Sequence, residues 1–181
     1  LIDVPHGLTF CHGDGLHGLI AGQADIVCLA GMGVNTMEEI LSALRNDGEG
    51  SSRAVLLLDD LEVQTIITQP TNARPRILIQ LYELAFQKGF HVRDEALVSL
   101  AGRWYVCTAF ARTRPPSAAI PVQLQLPSSD LPLLHYAGPD ELMQGYVRHH
   151  TQWLRDELDK AGHLRGREDE WLNHFDSTGN A

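Results

Sequence analysis

Three short segments combine glycine with polar side chains, and each follows an apolar stretch of the chain. They are Gly13, Asp14 and Gly15; Ala30, Gly31, Met32 and Gly33; and Gln69, Pro70, Thr71 and Asn72. In doubly wound α/β sheets, ligands bind beyond the carboxyl ends of the strands. These segments are therefore the candidate ligand-binding residues if the chain adopts a fold of that class.

Asp14 has glycine on both sides. A carboxylate at a strand end can accept hydrogen bonds from an amino group such as adenine N6. Flanking glycines allow a flat ring to approach the main chain closely. Asp14 is therefore the candidate for binding an adenine ring, although Asp-Gly is also a common turn sequence and a solvated turn aspartate is the alternative.

Met32 lies between Gly31 and Gly33 directly after an apolar run. The main chain there could wrap a ligand while Met32 contacts an apolar ring or a donor methyl group. A tight turn from strand to helix, with Met32 in the core, is the alternative. Gln69 and Asn72 offer amide donors and acceptors at the end of the next strand, but a Gln-Pro pair alone has little specificity.

The histidines and cysteines do not form a recognisable metal-binding pattern. His12 and His17 have no carboxylate or cysteine partner at a known ligand spacing. The three cysteines are widely spaced within apolar runs, which is typical of buried hydrophobic positions. We expect no metal cofactor, and we interpret the pair His149 and His150 as part of a partly charged surface.

The apolar pattern predicts the elements that position the candidate segments. Residues 24–30 are typical of a parallel strand covered on both faces. Asn35 or Thr36 is predicted to cap the next helix, whose apolar face includes Leu44. Residues 63–68 have the β-branched content of a strand, whereas we expect the apolar run before them to stay outside the sheet.

A helix is predicted to begin near Pro75 and to end at Gly89, and residues 90–99 and 104–111 form a hairpin. With an earlier strand at residues 7–11, this order indicates an α/β fold. It is the later part of a Rossmann-like doubly wound sheet with a terminal antiparallel hairpin.

The domain boundaries follow from composition. Residues 1–112 form the Rossmann-like domain, residues 113–138 a proline-containing linker, and residues 139–176 a C-terminal helical region. The helix that begins near Pro139 carries an apolar stripe, and a second short helix follows at residues 167–175. The stripe comprises Leu142, Tyr146, Trp153, Leu154, Leu158 and Ala161.

The net charge of −9 argues against a nucleic-acid partner, because phosphate binding depends on lysine and arginine. Any such contact requires a local basic group, and Arg148, Arg155 and Lys160 on the C-terminal helix provide one. No apolar run reaches the roughly 18 to 20 residues that span a bilayer. The N-terminal residues also lack a secretion signal, so we expect a cytoplasmic protein without a membrane partner.

Taken in order, these motifs resemble those of the bacterial tRNA (adenine-N1) methyltransferases that act on the D-arm region. The family pattern is a GDGL turn, a strand ending in AGMGG, a strand ending in QPN, a long helix, and a hairpin with a GKxYE-like turn. Its counterparts here include Gly13 to Leu16, Ala30 to Gly33, and Gln69 with Pro70. The chain departs from the pattern at Val34, Thr71 and Val106, which concern the substrate more than the cofactor.

The resemblance implies transfer of a methyl group from S-adenosyl-L-methionine to N1 of an adenine in tRNA. The family's first glycine-rich loop, which holds other parts of the donor, has no counterpart in residues 1–181, so we expect this chain to bind the cofactor weakly. The implied roles are cofactor binding for Gly13, Asp14, Gly15 and Ala30, methyl transfer for Gly31 and Met32, orientation of the target base for Gln69 and Asn72, and RNA binding for Arg148, Arg155 and Lys160.

Two other functions remain open. A non-catalytic scaffold built on the same fold would keep the sheet without a complete donor site. A nicotinamide-dependent oxidoreductase is disfavoured, because no G-x-G-x-x-G motif follows a first strand.

Overall fold

The computed structural model describes residues 12–45, 55–112, 131–133, 136–164 and 167–178. The predicted strand at residues 7–11 and most of the predicted linker lie outside these residues. In chain order the elements are β1 (Ile26–Met32), α1 (Val34–Leu41), β2 (Leu44–Arg45), β3 (Val55–Leu56), α2 (Leu57–Asp60), β4 (Thr65–Pro70), α3 (Pro75–Gln87), β5 (His91–Leu100), β6 (Arg103–Ala111), α4 (Asp140–Ala161) and α5 (Glu168–Thr178).

The central sheet has four strands in the order β1-β4-β6-β5. β1 and β4 are parallel, and β6 runs antiparallel to both of its neighbours. Since each of the two parallel strands is followed by a helix, this is the arrangement expected for the later part of a doubly wound sheet. The predicted fold class is confirmed.

Two details of the elements predicted for the first half of the chain are wrong. Gly33 is the N-cap of α1 and makes no side-chain capping bond, so Asn35 and Thr36 lie inside the helix. The helix starts early because the Gly33 carbonyl already accepts the Met37 amide at 3.1 Å. Leu44 is not on the face of α1, because that helix ends at Leu41 and Leu44 pairs with Leu56 in a separate two-stranded sheet.

The hairpin and α3 agree with the sequence expectations. Pro75 occupies the start of α3, and Gly89, with φ of +81°, follows its end as a C′ residue. Ala101 and Gly102 both have positive φ, as a two-residue type I′ turn requires. A bulge between Val92 and Asp94 in β5 shifts the alternation of its side chains.

The two faces of the sheet differ in burial. Val27 and Leu29 of β1 are buried, whereas Ile26 is 59% exposed and Cys28 is also exposed. The prediction that this strand is covered on both faces is therefore wrong. The reason is that the helices that the structure describes against the sheet cover one face, so β1 alternates like a half-buried edge strand.

The C-terminal helices pack against each other, with α4 beside β5 and α5 beside α3. Tyr146 and Leu154 of the predicted stripe are buried, but Leu158 is 38% exposed and Ala161 is exposed as well. The stripe is thus wrong over its last turns, which extend past the packed part of α4. No described helix is both long and apolar enough to serve as a membrane span.

Candidate functional site

The carboxyl ends of β1 and β4 lie side by side, because the two strands are parallel. Ala30 aligns with Gln69, and Met32 aligns with Pro70. Just beyond the strands, the Thr71 amide donates to the Met32 carbonyl at 3.0 Å. The fold therefore brings together two of the three predicted segments at one edge of the sheet.

Gly31 forms a bulge between these aligned pairs, since the register shifts between Ala30 and Met32. Its φ of +72° lies in the left-handed region that favours glycine. Among the described residues, and apart from the adjoining residues of the chain, no heavy atom lies within 4 Å of the position that a β-carbon would occupy at Gly31, and the same holds at Gly33. Main chain is consequently accessible on both sides of Met32, whose side chain is half-buried against the core.

Gln69 and Asn72 both use their side chains to shape the loop that follows β4. The Gln69 amide donates to the Pro70 carbonyl at 2.7 Å. The Asn72 side-chain oxygen accepts the Arg74 main-chain amide at 3.0 Å, and Arg74 is the N-cap of α3. We call residues 71–74 the β4–α3 loop.

Helix α4 lies against this loop. The Tyr146 hydroxyl donates to the Ala73 carbonyl at 2.6 Å, and the Arg74 guanidinium lies 4.8 Å from the centre of the Trp153 ring. Burial raises the pKa of Tyr146 well above its usual value, so its hydroxyl remains a donor. Sequence reasoning missed both contacts, although it placed Tyr146 and Trp153 on one stripe.

The turn from Gly13 to Gly15 is the third predicted segment of the site. Asp14 is exposed, its carbonyl accepts the His17 amide at 3.1 Å, and among the described residues its carboxylate has no hydrogen-bond partner. A β-carbon at Gly15 would lie 3.2 Å from Ile40, in the last turn of α1. Gly31 and Met32 precede the first turn of that helix, about 9 Å away along its axis. The turn therefore lies beside the C-terminal end of α1.

The three predicted RNA-binding residues are exposed, but they do not share one side of α4. Arg148 and Arg155 are seven residues apart and point within about 20° of each other, whereas Lys160 points about 140° away from Arg155. Lys160 also lies 3.7 Å from the Glu157 carboxylate. The structure thus separates one pair of arginines from the lysine.

His150 is not a surface residue, contrary to the sequence interpretation. It is 5% exposed and its ring lies 4.4 Å from that of Tyr146. Burial, with the nearby His149 and Arg74, lowers the pKa of His150 to about 3. The imidazole is consequently neutral at pH 7.

Beneath the sheet, a buried polar network joins α3, β5 and β6. The Tyr82 hydroxyl donates to Glu95 and lies 2.9 Å from the Thr108 hydroxyl, while the Leu133 amide donates to the same carboxylate at 2.7 Å. Burial and the charge of Glu95 raise the pKa of Tyr82 well above its usual value. One sequence pattern indicates the bulge in β5 near this network. Val92 and Leu97 are five residues apart, so both can face the core only if a bulge lies between them.

Parallel strands with helices, an antiparallel hairpin and polar residues at the carboxyl edge define a doubly wound α/β ligand-binding domain. Residues 3–107 match a family model described as a methyltransferase domain. Because this match covers more than half of the sequence, the chain belongs to that methyltransferase family. Comparison with curated protein sequences gives no match.

Two solved structures show the same fold. One is TrmK of M. capricolum in complex with S-adenosyl-homocysteine, with 14% identity and a TM-score of 0.52, covering 93% of this chain and 63% of that chain. The other is the B. subtilis M1A22 tRNA methyltransferase TrmK, with 19% identity and a TM-score of 0.50, covering 93% of this chain and 65% of that chain. The present chain thus spans less than two thirds of either protein.

Proposed function

We propose that the protein transfers a methyl group from S-adenosyl-L-methionine to N1 of an adenine in tRNA. The observation that carries this proposal is the meeting of Gly31 and Met32 with Gln69 and Asn72 at one edge of a methyltransferase domain. The structural relatives include a protein bound to S-adenosyl-homocysteine and an M1A22 tRNA methyltransferase. A tRNA substrate fits a cytoplasmic location.

The residues at this edge fit the methyl end of such a donor. Open space beside Gly31 and Gly33 allows a ligand to approach the main chain, and the thioether of Met32 offers an apolar contact. When bound, S-adenosyl-L-methionine supplies an electrophilic methyl group on a positively charged sulfur. The Asp14 turn would hold the adenine part of the donor, which is the end of that molecule farther from the methyl group.

The chain's own task is then to position the target base. Unprotonated adenine N1 has a ring lone pair that would form the new N–C bond as the S–C bond of the bound donor breaks, and the positive charge would pass from sulfur to the adenine ring. Gln69 and Asn72 would orient the base through amide hydrogen bonds, and the apolar surroundings of Met32 would exclude water. A base from folded tRNA must first leave its stack, and α4 would bind the neighbouring RNA.

Transfer of labelled methyl groups tests this function. The natural protein is incubated with methyl-labelled S-adenosyl-L-methionine and unmodified tRNA, and label in precipitated tRNA is counted. We expect label in tRNA and none when S-adenosyl-homocysteine is in large excess. A protein that binds tRNA without transferring label would support the scaffold alternative.

A further inference from the structure

Helix α4 makes a buried hydrogen bond to the β4–α3 loop. The Tyr146 hydroxyl and the Ala73 carbonyl are 2.6 Å apart, and both residues are nearly inaccessible to solvent. Ala73 follows Asn72 directly in the chain. Because a buried carbonyl is costly to leave unpaired, this bond fixes the loop beside the proposed base-orienting residue.

A second contact holds the next residue of the loop. The Arg74 guanidinium lies 4.8 Å from the centre of the Trp153 ring, within the range of a cation–π interaction. Trp153 is two helical turns beyond Tyr146, so both side chains leave α4 on the same side. The Arg74 amide also donates to the Asn72 side chain at 3.0 Å, which links this contact to Asn72.

Tyr146 itself also contacts the hairpin. The Trp104 ring meets the Tyr146 ring edge-on at 5.9 Å. Gly145 permits this approach, because a β-carbon there would lie 2.9 Å from the Trp104 ring. The Tyr146 hydroxyl is therefore fixed relative to β6 as well as to the loop.

We propose that Tyr146 and Trp153 are positioning residues, through which α4 sets the place of the β4–α3 loop for the target base. This inference rests on the proposed function and adds a role for α4 besides RNA binding. Catalysis of this kind depends on geometry, and a misplacement of about 1 Å can reduce a rate by as much as roughly a hundredfold.

Amide hydrogen exchange tests whether α4 holds the loop, independently of activity. The Thr71 and Arg74 amides both have partners within this region, namely the Met32 carbonyl and the Asn72 side chain. In Tyr146→Phe we expect both amides to exchange about tenfold faster than in the wild type. Tyr82→Phe is the matched control, since it removes an equally buried hydroxyl without a bond to the loop. Unchanged exchange in Tyr146→Phe would overturn the proposal.

Kinetics then tests whether holding the loop matters for methyl transfer. We expect kcat at saturating tRNA to fall about tenfold in Tyr146→Phe and Trp153→Leu, with the Kd for S-adenosyl-homocysteine unchanged. Trp153→Phe keeps an aromatic ring under Arg74 and should recover most of the rate, whereas a purely structural role would lower the Tm and leave kcat unchanged.

Two outcomes separate the inference from the proposed function. Faster loop exchange with a wild-type kcat would overturn the catalytic role of Tyr146 and Trp153 while leaving the proposed function intact. A wild-type protein that transfers no methyl group would overturn the proposed function and the catalytic role together, and amide exchange would still decide whether α4 holds the loop.

Discussion

The two candidate halves of the site differ in how firmly the structure holds them. The β4–α3 loop has two partners on α4: Ala73 is bonded to Tyr146, and Arg74 stacks on Trp153. The Gly13 to Gly15 turn is exposed, and the carboxylate of Asp14 has no partner among the described residues. Among the described residues, the acceptor side of the proposed reaction is thus held by more side-chain contacts than the Asp14 turn.

This difference indicates that substitutions in the two regions should have different effects. The acceptor side is stabilised by contacts between segments that are far apart in sequence. The donor side consists of a turn that rests on the C-terminal end of α1. Changes to the helix interface should therefore alter the loop, while changes at Asp14 should alter only cofactor binding.

Acid should produce the largest effect, because it charges His150, which is buried on α4 beside Tyr146. Its pKa is about 3 in the folded protein and near 6.5 in the unfolded chain. The unfolded state therefore binds more protons between these values. The stabilisation is complete above about pH 6.5 and is lost as the pH falls towards 3, with a slope approaching about 1.4 kcal/mol per pH unit.

Fluorescence can follow this transition, because all three tryptophans, Trp104, Trp153 and Trp171, lie near α4 or α5. Urea unfolding at several pH values measures the free energy of unfolding. This free energy should change steeply with pH in the wild type and less steeply in His150→Leu. His17→Gln, at an exposed position near Asp14, is the control and should match the wild type. An identical slope in His150→Leu would show that His150 is not buried in solution.

The donor side is probed by Asp14→Ala in the natural protein. We expect the Kd for S-adenosyl-homocysteine to rise about tenfold or more, as the loss of a charge-assisted hydrogen bond of roughly 1.5 to 3 kcal/mol would cause. Calorimetric titration measures the change. If the Kd does not change, Asp14 is only a solvated turn residue.

Gly31→Ala tests whether the backbone conformation at Gly31 is strained for a residue that has a β-carbon. Alanine at Gly31 must adopt φ of +72°, so we expect a loss of about 1 to 2 kcal/mol in the free energy of unfolding. Gly33→Ala is the control, since Gly33 has an ordinary φ of −72° and equally open surroundings. Equal losses in the two variants, measured by urea unfolding, would contradict the bulge at Gly31.

The smallest effect concerns the exposed side of α4. Replacing Arg148 and Arg155 with Gln should weaken tRNA binding and flatten its salt dependence by roughly 0.7 to 0.9 in log-log slope per lost phosphate contact. Lys160→Gln serves as a comparison, because Lys160 points to another side of the helix. Filter binding at several salt concentrations measures the slopes. An unchanged slope in the double variant would place the RNA contacts elsewhere.

The elements with a clear period could be predicted from the sequence, and those that depend on their neighbours could not. The helix that begins at Pro75 and the hairpin of β5 and β6 have local signatures, so both were predicted correctly. The apolar run of β1 is compatible with a strand that is covered on one face and with a strand that is covered on both faces. Its exposure became apparent only from the packing of the helices.

The same distinction applies to the candidate site. Glycines and amides at strand ends can be recognised locally, but the bond from Tyr146 to Ala73 joins residues 73 positions apart, and its acceptor is main chain. His150 could have been recognised, because it lies four residues after Tyr146 and four before Leu154, on the buried side of α4. The sequence interpretation instead placed His150 on the surface, because histidine is a polar residue.

Nucleoside analysis of the methylated tRNA tests the central claim most directly. After incubation with S-adenosyl-L-methionine and the natural protein, tRNA is digested and its nucleosides are identified by mass spectrometry. We predict N1-methyladenosine with the wild type and a loss of at least about tenfold when Gln69 and Asn72 are both replaced by alanine, with cofactor binding retained. Methylation of another base or another adenine nitrogen, or undiminished N1-methyladenosine in the double variant, would contradict the proposed acceptor site.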